Sequence, residues 1–488
     1  MRPVDGTADD LCYLTAREAL NHFARGTLSP VDLMSALLDR IEAVNSLINA
    51  FGDCYFDEAR SEAREAERRW RSGTARALEG IPVAVKDAQN VAGQRTTYGS
   101  PAHSGNYART SDPMIDRLLA AGAIIHARTT VSEFCLSGVC ASSMWGTTRN
   151  PWNLAFSPGG SSGGSGAAVA AGMAVLATGT DMGGSIRVPA SACGVVGYKP
   201  PHGRNPDGHP FNLDRLNHCG ALARSVGDIA LVQNVVAGRH PDDGESLPDM
   251  LVYPEAPESI AGLRVAWSPD LSYRAVDPEV LANTERALCL LEQLGCAVQR
   301  VQPGWSEEID DIASDWYRQG PFGQMLLRAL EHDAGLVSPD LQRLGRSWEG
   351  KRSGLDHVLK LIADMSQRFD EIMSSHDVFM CPTMSVAAVK ADQSMWDADF
   401  EIDGRRVDAE FGYSLTHQFN LLGRCPAITI PSGHTRLGLP TGLQIVGKPF
   451  DDLAVIRTAW AFETAAGPWF STQASRPNLL ERQEEYRT

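Results

Sequence analysis

Ala167-Ala168-Val169-Ala170-Ala171-Gly172-Met173-Ala174-Val175-Leu176-Ala177-Thr178-Gly179-Thr180-Asp181-Met182-Gly183-Gly184-Ser185 runs a small-residue helix into a glycine turn, a strand and a second glycine-rich turn. The same alternation extends around it. Ile81–Val85, Ala123–Ala127 and Ala174–Thr178 read as strands, and Asp116–Ala121 and Ala167–Ala171 as helices. Short β-rich pieces alternating with helices argue for an α/β sheet with crossover helices.

Upstream the pattern is helical. Thr15 stands at capping-box distance from Glu18, and Ser29-Pro30-Val31-Asp32 opens a segment with Leu33, Leu37, Leu38 and Ile41 at helical spacing. Ser61–Arg71 interleaves Glu and Arg, as a solvated helix does. Downstream, residues 201–260 are richer in Pro, Asp and Gly and are expected to form surface loops around a helix at Ser225–Val236. Leu263–Ser268, Val378–Met380 and Ala427–Pro431 read as later strands and Pro278–Leu294 as a helix. With no internal repeat and no low-complexity linker, one continuous domain is the simplest organisation: an N-terminal helical segment over 1–75 packed on a body over 76–488, its motifs concentrated in about 78–200.

At 488 residues, 43% hydrophobic and 21% charged, the chain has a soluble globular composition, and its net charge of −16 offers no field for nucleic acid or anionic membrane. Ten cysteines occur without a CxxC pair, the closest being Cys135 and Cys140, so they read as reduced core residues rather than metal or redox ligands. Met1–Gly6 lacks the basic and apolar runs of a secretory signal, and Ala167–Ala177 is broken by Gly172 and falls short of the ~20 residues of a spanning helix. A cytoplasmic location is expected.

Three residues carry the chemistry. Lys86 ends the apolar run Gly80-Ile81-Pro82-Val83-Ala84-Val85 in a chain whose 44 basic residues are nearly all arginine. Arginine stays protonated, whereas a buried lysine can lose its proton near neutral pH. Ser161 lies in Gly159-Gly160-Ser161-Ser162-Gly163-Gly164. No Gly-Lys-Ser/Thr follows, which argues against a phosphate loop; Ser162 fits G-x-S-x-G, but the preceding Pro151–Pro158 is bracketed by prolines rather than forming a strand. A third reading joins this turn to Ser185: a loop, helix, strand, loop excursion returns both serines to one sheet edge, beside Lys86 if Lys86 ends a neighbouring strand. The amides of Met182, Gly183, Gly184 and Ser185 can then curl around a carbonyl oxygen. Lysine and two serines in this arrangement suit acyl transfer with lysine as the base.

The chain resembles the amidase signature family of serine hydrolases nearly end to end. The likeness runs through Leu78–Asp87, Thr96-Thr97-Tyr98-Gly99-Ser100, Leu119–Ala123, Arg149-Asn150-Pro151-Trp152, Ser157–Gly172, Gly179–Pro200, Cys381-Pro382-Thr383 and Gly442–Gly447. The resemblance implies a single large α/β domain, its central mixed twisted sheet covered by helices on both faces. It implies a Ser-cisSer-Lys triad: Ser185 as nucleophile, Ser161 as bridging hydroxyl after a cis Gly160–Ser161 peptide, Lys86 as base. Met182 to Ser185 would supply the oxyanion hole and Asp181 and Arg187 structural support. Phe134–Trp145 would line the acyl pocket, with Cys135 and Trp145 near substrate.

The implied activity is hydrolysis of a small-molecule amide, with hydrazides, carbamates and esters as related substrates. No cofactor or metal is implied; a homodimer is compatible with the reading. The glutaminase subunit of a tRNA-dependent amidotransferase is the rival within the family, but it carries Thr-Glu-Asn-Ser where this chain has Cys140-Ala141-Ser142-Ser143. A non-catalytic scaffold would be expected to have lost Lys86, Ser161 or Ser185, and all three are present. Specificity is expected in loops 201–220 and 305–350. His202, His209 and His218 in the first of these read as surface or pocket residues.

Overall fold

The computed structural model describes residues 8–349 and 354–479; the polar N-terminal start and the last residue of the 305–350 loop lie outside them. An eleven-stranded mixed sheet organises the chain. In chain order its strands are β1 Phe51–Cys54, β2 Pro82–Lys86, β3 Ile124–Thr129, β4 Leu176–Thr180, β5 Val196–Lys199, β6 Cys219–Ala223, β7 Arg264–Trp267, β8 Ala297–Arg300, β9 Val378–Pro382, β10 Ala427–His434 and β11 Pro440–Gly447. They lie side by side as β1-β3-β2-β4-β6-β5-β10-β11-β9-β7-β8. β2 runs parallel to β3 and β4, and β9 runs parallel to β7; β6, β5, β10 and β11 between them pair antiparallel.

Alternate residues of a strand enter opposite faces, and this sheet buries both. Val378 and Met380 of β9 join the apolar cluster that holds Ala167–Ala171, while Phe379 and Cys381 join a second cluster with Phe369 and Phe419. The N-terminal helices form as their caps require. Thr15 makes a reciprocal capping box with Glu18 ahead of Ala16–Arg25, and the Ser29 hydroxyl accepts from Val31 and Asp32 ahead of Pro30–Ile48, whose Leu33, Leu37, Leu38 and Ile41 are all buried. The Glu/Arg run lies in Phe56–Ser72, where Ala59, Ala63 and Ala66 face inward and the charges pair on the outside.

Two expectations are corrected. Residues 201–260 divide: the helix Val226–Val236 forms behind its Ser225 cap and 239–259 is mostly exposed irregular chain as expected, but 201–223 is not a surface loop, since β6 sits between β4 and β5 near the middle of the sheet and much of 201–218 is buried. Several of its polar groups pair with one another, with Asn217 Nδ2 on Asp207 at 2.8 Å and Asn212 Nδ2 on Asp243 at 3.0 Å, so a Pro- and Asp-rich composition is compatible with burial. The first 75 residues also include a strand: Phe51-Gly52-Asp53-Cys54, with weak β propensity in Gly and Asp, pairs with β3 and extends the sheet. Of the ten cysteines, Cys54 and Cys289 are exposed, Cys135 is half-buried and the other seven are buried. Among the described residues no helix is long and apolar enough to cross a membrane.

Candidate active site

Register brings Lys86 and the first turn together. β2 and β4 are parallel, with Val83 opposite Leu176 and Ala84 opposite Ala177, so their carboxyl ends reach the same sheet edge, where ligands collect in α/β folds. Lys86, the last residue of β2, is fully buried. Its Nζ lies 2.7 Å from Ser161 Oγ, 2.7 Å from Thr180 Oγ1 and 3.5 Å from the Thr180 carbonyl. Three neutral oxygens surround the amine, and burial holds its pKa below that of a free lysine. Thr180, at the end of β4, is a partner that sequence reading did not single out; the available signal was a hydroxyl at the carboxyl end of Leu176-Ala177-Thr178-Gly179-Thr180.

The Gly160–Ser161 peptide is cis. A Cβ on Gly160 would lie 2.4 Å from the Ser137 carbonyl oxygen and 2.9 Å from the Gly138 carbonyl carbon, so only glycine allows these two loops to touch. Ser162 turns away: its Oγ donates to the Thr180 carbonyl at 3.3 Å, while its amide donates to the Ser185 carbonyl at 3.2 Å and ties the two turns together.

The second turn is wound around a carboxylate. Asp181 Oδ1 accepts from the Gly184 amide, Arg187 Nη2 and Asn420 Nδ2, each at 2.8 Å, and Oδ2 accepts from the Ile186 amide at 3.1 Å and Arg187 Nε at 2.9 Å. Arg187 is held in turn by Gln444 Oε1 and Asn420 Oδ1, each at 2.6 Å. Both side chains of the pair are fully buried. Burial alone would raise the Asp181 pKa; Arg187 and Asn420 override it and keep the carboxyl well below the usual range. Because every donor and acceptor is used, the pair is stable in place, and removing one charge strands the other. Asp181→Asn is therefore expected to lower unfolding stability by about 3–5 kcal/mol and to disorder the Ser185 turn, as measured by denaturant titration; a loss below about 1 kcal/mol would count against this reading of the pair.

The same geometry revises the expected oxyanion hole. The Gly184 N–H is committed to Asp181, which leaves the amides of Met182, Gly183 and Ser185, for which no protein acceptor occurs among the described residues. Gly183 is pressed against Tyr317, whose hydroxyl would lie 1.7 Å from a Cβ at that position.

Ser185 and Gly183 open onto a cavity of about 580 Å³. Its walls mix aromatic residues such as Tyr317, Trp348 and Phe411 with a polar cluster. There Asp310 accepts from Arg274 at 2.8 Å and pairs with His417 Nε2 at 2.8 Å. Although burial opposes it, these partners hold the Asp310 carboxyl below its ordinary pKa. Cys135 lines the cavity with its thiol against Ser161 and Lys86, but its amide is used by the Ser132 carbonyl at 2.8 Å.

Trp145 does not line this cavity. Its indole N–H donates to Asp87 Oδ2 at 2.8 Å and its ring packs on Gly52, behind the sheet edge; a buried carboxylate needs that donor more than a substrate needs the ring. The segment Cys140–Ser143 is likewise outside the cavity lining. Of the three histidines, His218 is buried behind the Ser185 turn with Nδ1 at 3.0 Å from the Asp181 carbonyl, His202 is half-buried, and His209 is exposed.

The family model described as Amidase matches residues 32–456. An acylamidase of Rhodococcus erythropolis is 34% identical over 476 residues, covering 95% of this chain and 97% of the relative. A glutamyl-tRNA(Gln) amidotransferase subunit of Chloroflexus aggregans is 32% identical, covering 93% and 96%. The crystal structure of a bacterial aryl acylamidase of the amidase signature enzymes superposes with a TM-score of 0.86 at 26% identity, covering 94% of this chain and 97% of that one.

Proposed function

The chain belongs to the amidase signature family and is a hydrolase of amide C–N bonds, and we propose that it cleaves small carboxylic amides with Ser185 as nucleophile, Ser161 as proton relay and Lys86 as base. The observation that carries this reading is the 2.7 Å contact from Lys86 Nζ to Ser161 Oγ in a fully buried setting that favours the neutral amine. Neutral Lys86 takes the Ser161 proton as Ser161 takes the Ser185 proton, and Ser185 Oγ bonds to the amide carbon. The carbonyl π pair moves to oxygen, where the Met182, Gly183 and Ser185 amides stabilise it. As the C–N bond breaks, the lysine proton returns through Ser161 to the departing nitrogen. Water then repeats the path on the acyl-enzyme, freeing the acid and restoring the Ser185 hydroxyl.

Likeness to the R. erythropolis acylamidase and a cavity walled by aromatic residues favour a small acyl amide over glutamine. Amine or ammonia release across a panel of aliphatic and aryl amides, hydrazides, carbamates, esters and glutamine tests this. The expected outcome is a kcat/KM for the best acyl amide at least tenfold above that for glutamine. Turnover confined to glutamine would favour a role in a tRNA-dependent amidotransferase, for which likeness to the C. aggregans protein is the supporting observation.

A further inference from the structure

The cavity over Ser185 carries more negative charge than it neutralises. Five carboxylates line it, Glu307, Asp310, Asp311, Asp408 and Glu410, against three arginines. Each arginine is already engaged: Arg274 with Asp310 at 2.8 Å, Arg405 with Glu307 at 2.6 Å, and Arg406 with Asp399 at 3.0 Å. Asp311, Asp408 and Glu410 have no paired cation among the described residues, and of these three only Glu410 is not exposed. Its Oε1 accepts from the Gly138 amide at 2.8 Å and Ser137 Oγ lies 3.4 Å from Oε2. The charged groups that bear on it are Asp408 and Asp340, both acidic, and its other titratable neighbours are the phenols Tyr413 and Tyr317.

A second observation points to a missing partner. Tyr413 lines the same cavity, is 1% exposed, and its hydroxyl has no hydrogen-bond partner. That hydroxyl rests on Gly138, where a Cβ would meet it at 1.8 Å. The rings of Tyr317 and Phe411 lie 5.7 Å apart on the same wall. A short chain of contacts joins Glu410 to Gly138, Gly138 to Gly160, and Gly160 to the relay serine, so a group bound here stays within a small molecule's length of the scissile bond. A carboxylate, an unused hydroxyl oxygen and aromatic faces together make a receptor for an organic ammonium.

We propose that the substrate of this amidase carries a protonated amine, held by Glu410 and Tyr413 while its amide carbonyl lies on Ser185. This rests on the amidase reading above and adds the substrate's charge class to it. Burial, with Asp408 and Asp340 beside it, pushes the Glu410 carboxyl up to about 8. An arriving ammonium displaces its proton, and selectivity for the cation grows as pH rises from 7 to 8.

Two matched substrate pairs test this, each exchanging ammonium for methyl. β-Alanyl p-nitroanilide is set against butyryl p-nitroanilide, and N-acetyl-1,3-diaminopropane against N-butylacetamide. In one pair the ammonium member is expected to be hydrolysed with at least tenfold higher kcat/KM at pH 8, with a smaller ratio at pH 7, and succinyl p-nitroanilide is expected to be slower than both anilides. Glu410→Gln should bring the ratio close to one. Equal kcat/KM within both pairs for the wild-type protein would overturn the proposal whether or not the variant folds. Failure of the amidase reading looks different: no member of either pair is hydrolysed, and the inference falls with it.

Discussion

Ser185→Ala is expected to lower kcat for amide hydrolysis by at least about 10⁴-fold, the scale seen when a covalent nucleophile is removed, and to abolish labelling by a fluorophosphonate probe. Three serines compete for the role. Ser161 is 1% exposed and bonded to Lys86, and Ser162 is fully buried with its hydroxyl on the Thr180 carbonyl. Ser185 is the one of the three that lines the cavity, and its own amide and those of Met182 and Gly183 stand beside it without protein acceptors among the described residues. An attacking oxygen must reach substrate, and oxyanion donors must surround the carbonyl it attacks. Peptide mapping of the labelled wild-type protein should find the phosphonate on Ser185. A label on Ser162, or full labelling of the Ser185→Ala protein, would remove Ser185 from the mechanism.

What could be read from the chain, and what could not, divides by the range of the interactions involved. Capping at Thr15 and Ser29, the β2 and β4 strands, and the two glycine-rich turns are local patterns, and each occurs where its pattern lies. The strand at Cys219–Ala223 was hidden because the Asp, Asn and Pro residues before it look solvent-facing until their mutual hydrogen bonds are known. The groups that brace the Ser185 turn, Asn420 and Gln444, stand more than two hundred residues from Arg187 along the chain; only the isolated polar residue in Gly442-Leu443-Gln444-Ile445-Val446 hinted that something charged would meet it. Trp145 shows the opposite error. An aromatic residue in a segment expected to line the pocket invited a binding role, but the buried carboxylate of Asp87 behind the sheet edge claims its N–H. Gly184 likewise sits where a donor to substrate was expected, and the Asp181 carboxylate uses that donor from within. Backbone amides near a buried acid are divided between turn and substrate, and sequence does not reveal the division.

Lys86→Arg is expected to lower kcat by about 10³-fold, within the range for losing a positioned general base, while leaving the chain able to bind amides. Arginine keeps the positive charge but does not give up its proton, so it cannot take one from Ser161. A role for Lys86 as a fixed cation would tolerate the change; a role as base would not. The pH profile separates the two independently of any variant. Burial penalises the ammonium form, so the folded-state pKa of Lys86 lies below the ordinary lysine value of 10.5. The neutral amine is the working form: it is present above the folded pKa and lost as pH falls through it. Activity should therefore decline on acidification with a slope of about one in log kcat/KM against pH, as expected for a single proton. A neutral amide is the substrate to use, because the ammonium selectivity assigned to Glu410 would otherwise add its own limb near 8. If Lys86 served as a permanent cation the dependence would run the other way, with activity holding in acid and falling as the amine lost its proton. Full activity in the Lys86→Arg protein, or a profile that falls only toward alkali, would leave Ser161 without an acceptor for its proton and require a different base.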